Sequence, residues 1–229
     1  MKKLILTLPL LAAFFITAWA DLQPVDNVCE KMEDSHFMEY CYENFDINKD
    51  GKVSMAEAVA VHKISIASSG ITSLKGIEYF VNLNQMDCSK NKLTSLDISQ
   101  NPALVKLDCS KNKLSALDVS ANIKLTDLNC QENALTNLDI SSNTALTNLN
   151  CSKNAIISLD VSKNLALTRL NCGNNKISSL DVCSNKELVR LICSKNPLAI
   201  LYMTRLQQVR TDCAIPSKCV IEYKAPNAE

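Results

Sequence analysis

Glycine is scarce in this chain, with four in 229 residues. That leaves no Gly-rich phosphate loop, and no G-x-S-x-G nucleophile element is present either. Histidine is scarcer. His36 and His62 are the only two, both on helix-like stretches near the front, where an isolated imidazole is ordinarily just solvated. An excess of one charge is also missing: 24 basic residues balance 24 acidic ones, so the strongly basic face that nucleic acid demands is absent. The one tryptophan, Trp19, falls within the first twenty residues. The sequence therefore reads as neither an enzyme nor a nucleic-acid binder.

What is present begins with "MKKLILTLPLLAAFFITAWA". Lys2 and Lys3 lead, an apolar run follows, and Ala18-Trp19-Ala20 supplies a small-x-small cleavage pattern. The run is too short for a good membrane span. Residues 1–20 are thus expected to be a signal peptide, without stable membrane insertion, and the mature chain to be periplasmic, on the cell surface or extracellular. Without the two lysines, 22 basic residues face 24 acidic ones, a net charge of about −2.

Eleven cysteines in an exported chain ordinarily point to a disulfide scaffold. Their spacing points elsewhere. Cys88, Cys109, Cys130, Cys151, Cys172 and Cys193 stand 21 residues apart, and the columns Asn91 to Asn196 and Leu83 to Leu188 keep the same step. The unit is L-x-x-L-x-C-x-x-N-x-L followed by x-x-L-D-V-S-x-N-x-x. Alternation along a short strand puts Leu107 and Cys109 on one buried face, where cysteine serves as a small hydrophobe. In-register strands about 4.8 Å apart keep their Cβ vectors parallel, which suits neither a disulfide nor a tetrahedral thiolate site. The inward amide of each column asparagine is expected to satisfy backbone groups at the bend. Asp97, Asp118, Asp139, Asp160 and Asp181 are expected to cap turns on an outer bend rather than to bind metal.

This unit resembles the leucine-rich repeat, with cysteine replacing the third leucine, over residues 83–208. The resemblance implies an α/β leucine-rich-repeat solenoid with a parallel β-sheet on its concave face. A 21-residue unit leaves the convex side only a short strand or a 3₁₀ turn.

In front of the repeats stands "FDINKDGKVSMAE". Asp46, Asn48, Asp50, Gly51 and Glu57 fit the EF-hand calcium loop. Asp46, Asn48 and Asp50 offer alternate oxygens, Lys52 its carbonyl, Ser54 a direct or water-mediated ligand, and Glu57 both carboxylate oxygens. Residues 28–45 are expected to form the entering helix and residues 55–63 the leaving one. Calcium is the expected cofactor, structural rather than regulatory, bound at about 10⁻⁴ to 10⁻³ M by an unpaired extracellular loop. A strand partner for Val53 comes from the repeat cap or is absent. "GITSLKGIEYFVNLNQMDC", residues 70–88, resembles the first repeat of bacterial internalins, which also fuse an EF-hand-like helical cap to a leucine-rich array. The chain divides into a signal peptide (1–20), a helical EF-hand-like cap (21–62), a capping repeat (63–82), six repeats (83–208) and a C-terminal cap (209–229). Cys213 with Cys219, and Cys29 with Cys41, are candidate disulfides, and Cys183 is left over.

Outward residues of the concave strands form two columns. One is Gln85, Lys106, Asp127, Asn148, Arg169 and Arg190; the other is Asp87, Asp108, Asn129, Asn150, Asn171 and Ile192. This wall is polar, roughly 24 Å long, drifts from acidic to basic toward its C-terminal end, and has no aromatic ring on which a sugar would stack. Lys106, Asp108, Asp127, Asn129, Asn150, Arg169, Asn171 and Arg190 are the candidate protein-binding residues. Arg169 and Arg190 lead, because arginine is favoured at hot spots. The expectation is a monomeric, adhesin- or internalin-like module with a protein partner. A structural envelope spacer and a glycan-binding periplasmic protein are the alternatives.

Overall fold

The computed structural model describes residues 26–224; the signal peptide expected over residues 1–20 lies outside them. Among the described residues no helix is long and apolar enough to cross a membrane.

A 3₁₀ turn, Val28–Lys31, opens the fold, followed by helices α1 (Ser35–Phe45) and α2 (Met55–Ala60). The continuous entering helix expected over residues 28–45 is therefore broken. Asp34 breaks it by taking the N-cap of α1, where its carboxylate accepts the N–H groups of His36 (3.0 Å) and Phe37 (3.2 Å). The leaving helix is also shorter than expected. The β-branched Val61 is already extended, and Lys63 begins a strand.

Strands β1 (Lys63–Ser65), β2 (Gln85–Asp87), β3 (Lys106–Asp108), β4 (Asp127–Asn129), β5 (Asn148–Asn150), β6 (Arg169–Asn171), β8 (Arg190–Ile192) and β10 (Asp212–Ala214) form one parallel sheet in that order. A second parallel sheet joins β7 (Ser179–Asp181), β9 (Ile200–Met203) and β11 (Val220–Tyr223) on the opposite side of the C-terminal coils. Elsewhere the convex side runs in turns. Helix α3 (Arg205–Arg210) leads into β10. The product is a solenoid of short coils, each too thin to hide its own apolar face.

Stacking supplies the hiding. Columns such as Leu104, Leu107, Cys109, Leu114 and Val119 are each at most 2% exposed, and the pattern recurs coil after coil. The cysteine column is buried throughout, and its N–H groups extend the ladder: Cys88, Cys109 and Cys130 donate to the carbonyls of Asp108, Asn129 and Asn150 at 2.8, 2.9 and 2.9 Å. All eleven cysteines are free thiols. Burial pushes the Cys109 and Cys151 thiols up to about 12, so they stay protonated and unreactive at neutral pH. Neither candidate disulfide is formed. Cys213 lies on β10 of the concave sheet while Cys219 leads into β11 of the convex one. Cys29 and Cys41 are both fully buried as free thiols.

Two asparagine ladders pin the bends. In the expected one, the Asn133 amide donates to the carbonyls of Cys109 and Cys130 (both 3.1 Å), and its oxygen accepts the Leu114 N–H at 3.0 Å. The second ladder, Asn101, Asn122, Asn143, Asn164 and Asn185, is fully buried. Asn143 donates to the carbonyls of Val119 and Asn122 at 2.9 Å each. In this ladder each Oδ1 is left without a partner. Lys90, Lys111, Glu132, Lys153, Asn174 and Lys195 recur with φ between 55 and 58°, a left-handed step that nothing in their side chains announces. The aspartate row caps turns as expected, with Asp118 and Asp160 accepting the N–H of Ser120 and Ser162 at 2.8 Å.

At the front, Phe37 of α1 meets Phe80 with ring centroids 6.4 Å apart, and Phe45 meets Phe80 at 5.5 Å. The Asp34 carboxylate also accepts the N–H and hydroxyl of Thr72 at 2.7 and 2.8 Å, tying the helices to the first coil. Gly76 permits this closure. Its φ is +101°, and a Cβ there would come within 2.6 Å of Met32 Cγ.

Candidate functional site: the concave wall and the acidic loop

In-register pairing sets both concave columns. Its rows run Gln85, Lys106, Asp127, Asn148, Arg169, Arg190, and Asp87, Asp108, Asn129, Asn150, Asn171, Ile192. Sequence reasoning missed both ends. Lys63 and Ser65 precede the rows, and Asp212 and Ala214 follow them. These strands escaped because they stand 22 residues from their neighbours, and isoleucine (Ile66, Ile215) takes the cysteine position. Eight strands make the wall about 34 Å long. The expected drift from acidic to basic is also corrected, since Lys63 opens the wall and Asp212 closes it.

The wall encloses a groove of about 670 Å³, floored by the Met86 and Leu107 to Leu170 rungs and flanked by both columns. Its middle is cross-linked by side-chain hydrogen bonds, although Asn148 Oδ1 is buried without a partner. Asn129 donates to Asp108, and Asn148 to Asp127, both at 2.8 Å; Asn150 donates to Gln131 at 2.9 Å. Its C-terminal end is different. Arg169 and Arg190 are exposed register neighbours, and neither guanidinium group makes a hydrogen bond or ion pair among the described residues. The Lys106 ammonium group is likewise without one. Asn171 accepts the Gly173 N–H at 3.2 Å and keeps its amide N–H groups free.

The acidic loop lies at the other end of the molecule. Asp46 accepts the N–H groups of Asp50 (3.2 Å) and Gly51 (3.0 Å), Asn48 accepts that of Asp50 (3.0 Å), and Asp50 accepts that of Lys52 (2.9 Å). Gly51 turns the chain at φ +83°. Glu57 reaches back to the N–H groups of Ile47 (2.9 Å) and Asn48 (3.3 Å), while its second oxygen accepts from the N–H and hydroxyl of Ser54, both at 2.8 Å. The Ser54 contacts, chiefly, hold the Glu57 carboxyl below its usual range. Ser54 in turn N-caps α2 in a capping box with Glu57. Among the described residues no three His, Cys, Asp or Glu side chains are set to hold a metal ion. The carboxylates here face the loop's own N–H groups. Asp46, Asn48, Asp50, Ser54 and Glu57 place their side-chain oxygens, and Lys52 its carbonyl, around this one loop. Val53 has no strand partner, the second of the two expected outcomes; instead the Val28 N–H of the opening 3₁₀ turn donates to the Val53 carbonyl at 2.9 Å, and the Val53 N–H donates to Asn27 Oδ1 at 3.1 Å.

No family model matches this sequence, and no curated protein does. Solved structures do. An internalin C2 of Listeria monocytogenes superposes with a TM-score of 0.61 at 18% identity, covering 87% of this chain and 98% of its own. The fold is that of an internalin. InlF of the same organism gives this internalin-type solenoid a TM-score of 0.60 at 18% identity, over 87% of this chain and 73% of InlF. The functional domain of InlJ, also from Listeria monocytogenes and described as including a cysteine ladder, is 24% identical with a TM-score of 0.44. The match covers 86% of this chain and 63% of that domain's length.

Proposed function

We propose that this chain is an exported recognition module that binds a protein partner along its concave wall, with calcium stabilising the N-terminal cap. The observation that carries the first part is the unequal satisfaction of the wall. Side-chain hydrogen bonds cross-link its middle rungs through Asn129, Asn148 and Asn150, while Arg169 and Arg190 present unpartnered guanidinium groups side by side. An arginine pair over a groove is a hot-spot arrangement. The calcium part rests on the oxygen donors of the acidic loop and its turn at Gly51. Because Val53 is bonded to Val28 and Asn27, a cation in the loop would hold the N-terminal segment as well. The cation supplies charge neutralisation there and no chemistry.

Capture on the immobilised mature protein tests the wall. A partner retained by the parent and by a convex-side Lys176→Glu variant, and lost with Arg169→Glu/Arg190→Glu, is the expected result. Equal retention by the wall variant would sink the reading and leave a rigid envelope spacer. For the loop, calorimetric titration should show one calcium bound by the parent and none by Asp46→Ala. Absence of heat and of any calcium-dependent rise in the melting temperature would refute the calcium role.

A further inference from the structure

We infer that the C-terminal end of the concave wall is a carboxylate-binding site, and that the partner segment it takes is an acidic stretch of extended protein chain. The inference rests on the concave wall being the recognition surface and adds the chemistry of what lies on it.

The donor inventory gives the sign. Arg169 and Arg190 present guanidinium groups, which only donate, and Asn171 adds a free amide between them and the second column. The acceptor of that amide is already taken by Gly173. The unpartnered donors of this corner include two charged groups, and its unpartnered acceptors are Asn148 Oδ1, buried beside Arg169, and the exposed Asp212 carboxylate beside Arg190. Two like charges on adjacent parallel strands repel unless something anionic sits over them. The nearest acid in register, Asp212 on β10, forms no ion pair with Arg190. On the middle rungs Asn148 uses both amide N–H groups and Asn129 and Asn150 one each, so the competing donors there are two neutral N–H groups, with the Lys106 ammonium further along the wall.

The remaining features select a protein segment over a free anion. Arg169 and Arg190 stand on rows about 4.8 Å apart, while alternate side chains of an extended chain are about 6.8 Å apart, a difference that two long guanidinium stems span. Beside them the second column turns apolar at Ile192, half-buried next to Asn171. Ile192 gives an aliphatic neighbour of the bound carboxylate a surface to cover. Gly173 leaves that corner low: a Cβ there would stand 3.3 Å from Asn171 Oδ1 and 3.5 Å from Ile192 Cγ2. At the far end Asp87 and Asp108 are register neighbours, but Lys63 and Lys106 on the same sheet balance their charge, so that end has no paired cations free of adjacent acids.

The test is a titration of the intact, ¹⁵N-labelled protein at low ionic strength with hexaglutamate, hexalysine and inorganic phosphate, read at the Arg169 and Arg190 side-chain N–H resonances. Hexaglutamate should shift both. Arg169→Gln/Arg190→Gln should weaken that binding by about tenfold or more, the loss of at least one charge-assisted contact. Arg169→Glu/Arg190→Glu should switch preference to hexalysine, with the circular dichroism spectrum of the parent. Hexaglutamate binding kept by the double variants, or no shift with hexaglutamate, overturns the inference. Phosphate shifting the pair where hexaglutamate does not overturns it in favour of a phosphate site. The two readings fail separately. A captured partner that needs Arg169 and Arg190 but contacts them without an acidic segment refutes only the carboxylate site. Hexaglutamate binding at an arginine pair that no captured partner requires refutes only the wall.

Discussion

Replacing one asparagine from each ladder should separate two kinds of buried amide. Asn133→Ala leaves the Cys109 carbonyl with the Asn112 amide and the Cys130 carbonyl with the Asn154 amide. It strands the Leu114 N–H, whose acceptor was Asn133 Oδ1. A stranded donor costs about 1–3 kcal/mol and each lost hydrogen bond about 0.5–1.5 kcal/mol, so the change should destabilise by about 3 kcal/mol or more. Asn143→Ala also removes two hydrogen bonds. The carbonyls it leaves, of Val119 and Asn122, keep the backbone N–H groups of Asn122 and Leu125 at 3.0 Å. It also removes a buried oxygen that had no partner, which returns about 1–3 kcal/mol. The stranded donor and the returned oxygen together make Asn133→Ala the worse by about 2–6 kcal/mol, reduced by the larger cavity that fully buried Asn143 leaves compared with half-buried Asn133. Because a solenoid need not unfold in one step, the assay is native-state hydrogen exchange on the central coils together with urea unfolding by circular dichroism. Equal loss in the two variants, or a greater loss in Asn143→Ala, would refute the reasoning.

Four further outcomes follow from the packing. Asp34→Ala should destabilise the front cap by about 2–4 kcal/mol, since it removes an N-cap and two hydrogen bonds from Thr72; exchange at Thr72 N–H reads it. Burial alone would raise the Asp34 carboxyl, but its Thr72, Phe37 and His36 hydrogen bonds outweigh that and lower it. Its stabilisation is therefore complete above the unfolded value of about 3.9 and lost as pH falls through the depressed folded value; cap exchange that quickens already between pH 7 and 5 would contradict this. Under native iodoacetamide, half-buried Cys213 and Cys219 should react first and Cys130 only on unfolding, so peptide masses showing Cys130 alkylated as fast as Cys219 would refute the inert column. Lys90→Gly should raise stability by a few tenths to about 1 kcal/mol, because glycine takes φ 56° freely at some entropic cost; a fall in the urea midpoint would count against strain there.

Much of the fold was legible because the unit is periodic. Once Cys88 to Cys193 and their leucines were aligned, alternation placed every outward residue of β2 to β6 and β8. What lay outside that reading broke the period or lacked a side-chain mark. β1 and β10 sit one residue out of step, with isoleucine where the column has cysteine. The left-handed residue of each coil is a lysine, glutamate or asparagine, types chosen for water contact, and its φ is imposed by neighbouring coils. The second asparagine ladder was visible in the repeat unit, but its burial follows from how the coils stack. For the candidate site, the residue rows were readable while their satisfaction was not. Which amide reaches which carboxylate depends on strand spacing, so the bareness of Arg169 and Arg190 emerges only from the assembled wall. The bond from Val28 to Val53 was hidden for a similar reason, since it joins segments on either side of α1.

In the concave sheet each strand pairs only with the strands beside it, and β2 to β6 and β8 repeat in one register. Gain or loss of a 21-residue coil between β4 and β6 would slide the arginine pair along the axis by one division, about 4.8 Å. The contacts on either side of the splice would stay as they were. The distance from Asp87 and Asp108 to the arginines is therefore set by copy number, like the marks on a ruler. Variation in the gene could retune the length of groove between these two pairs by duplication alone, without inventing a new side-chain contact.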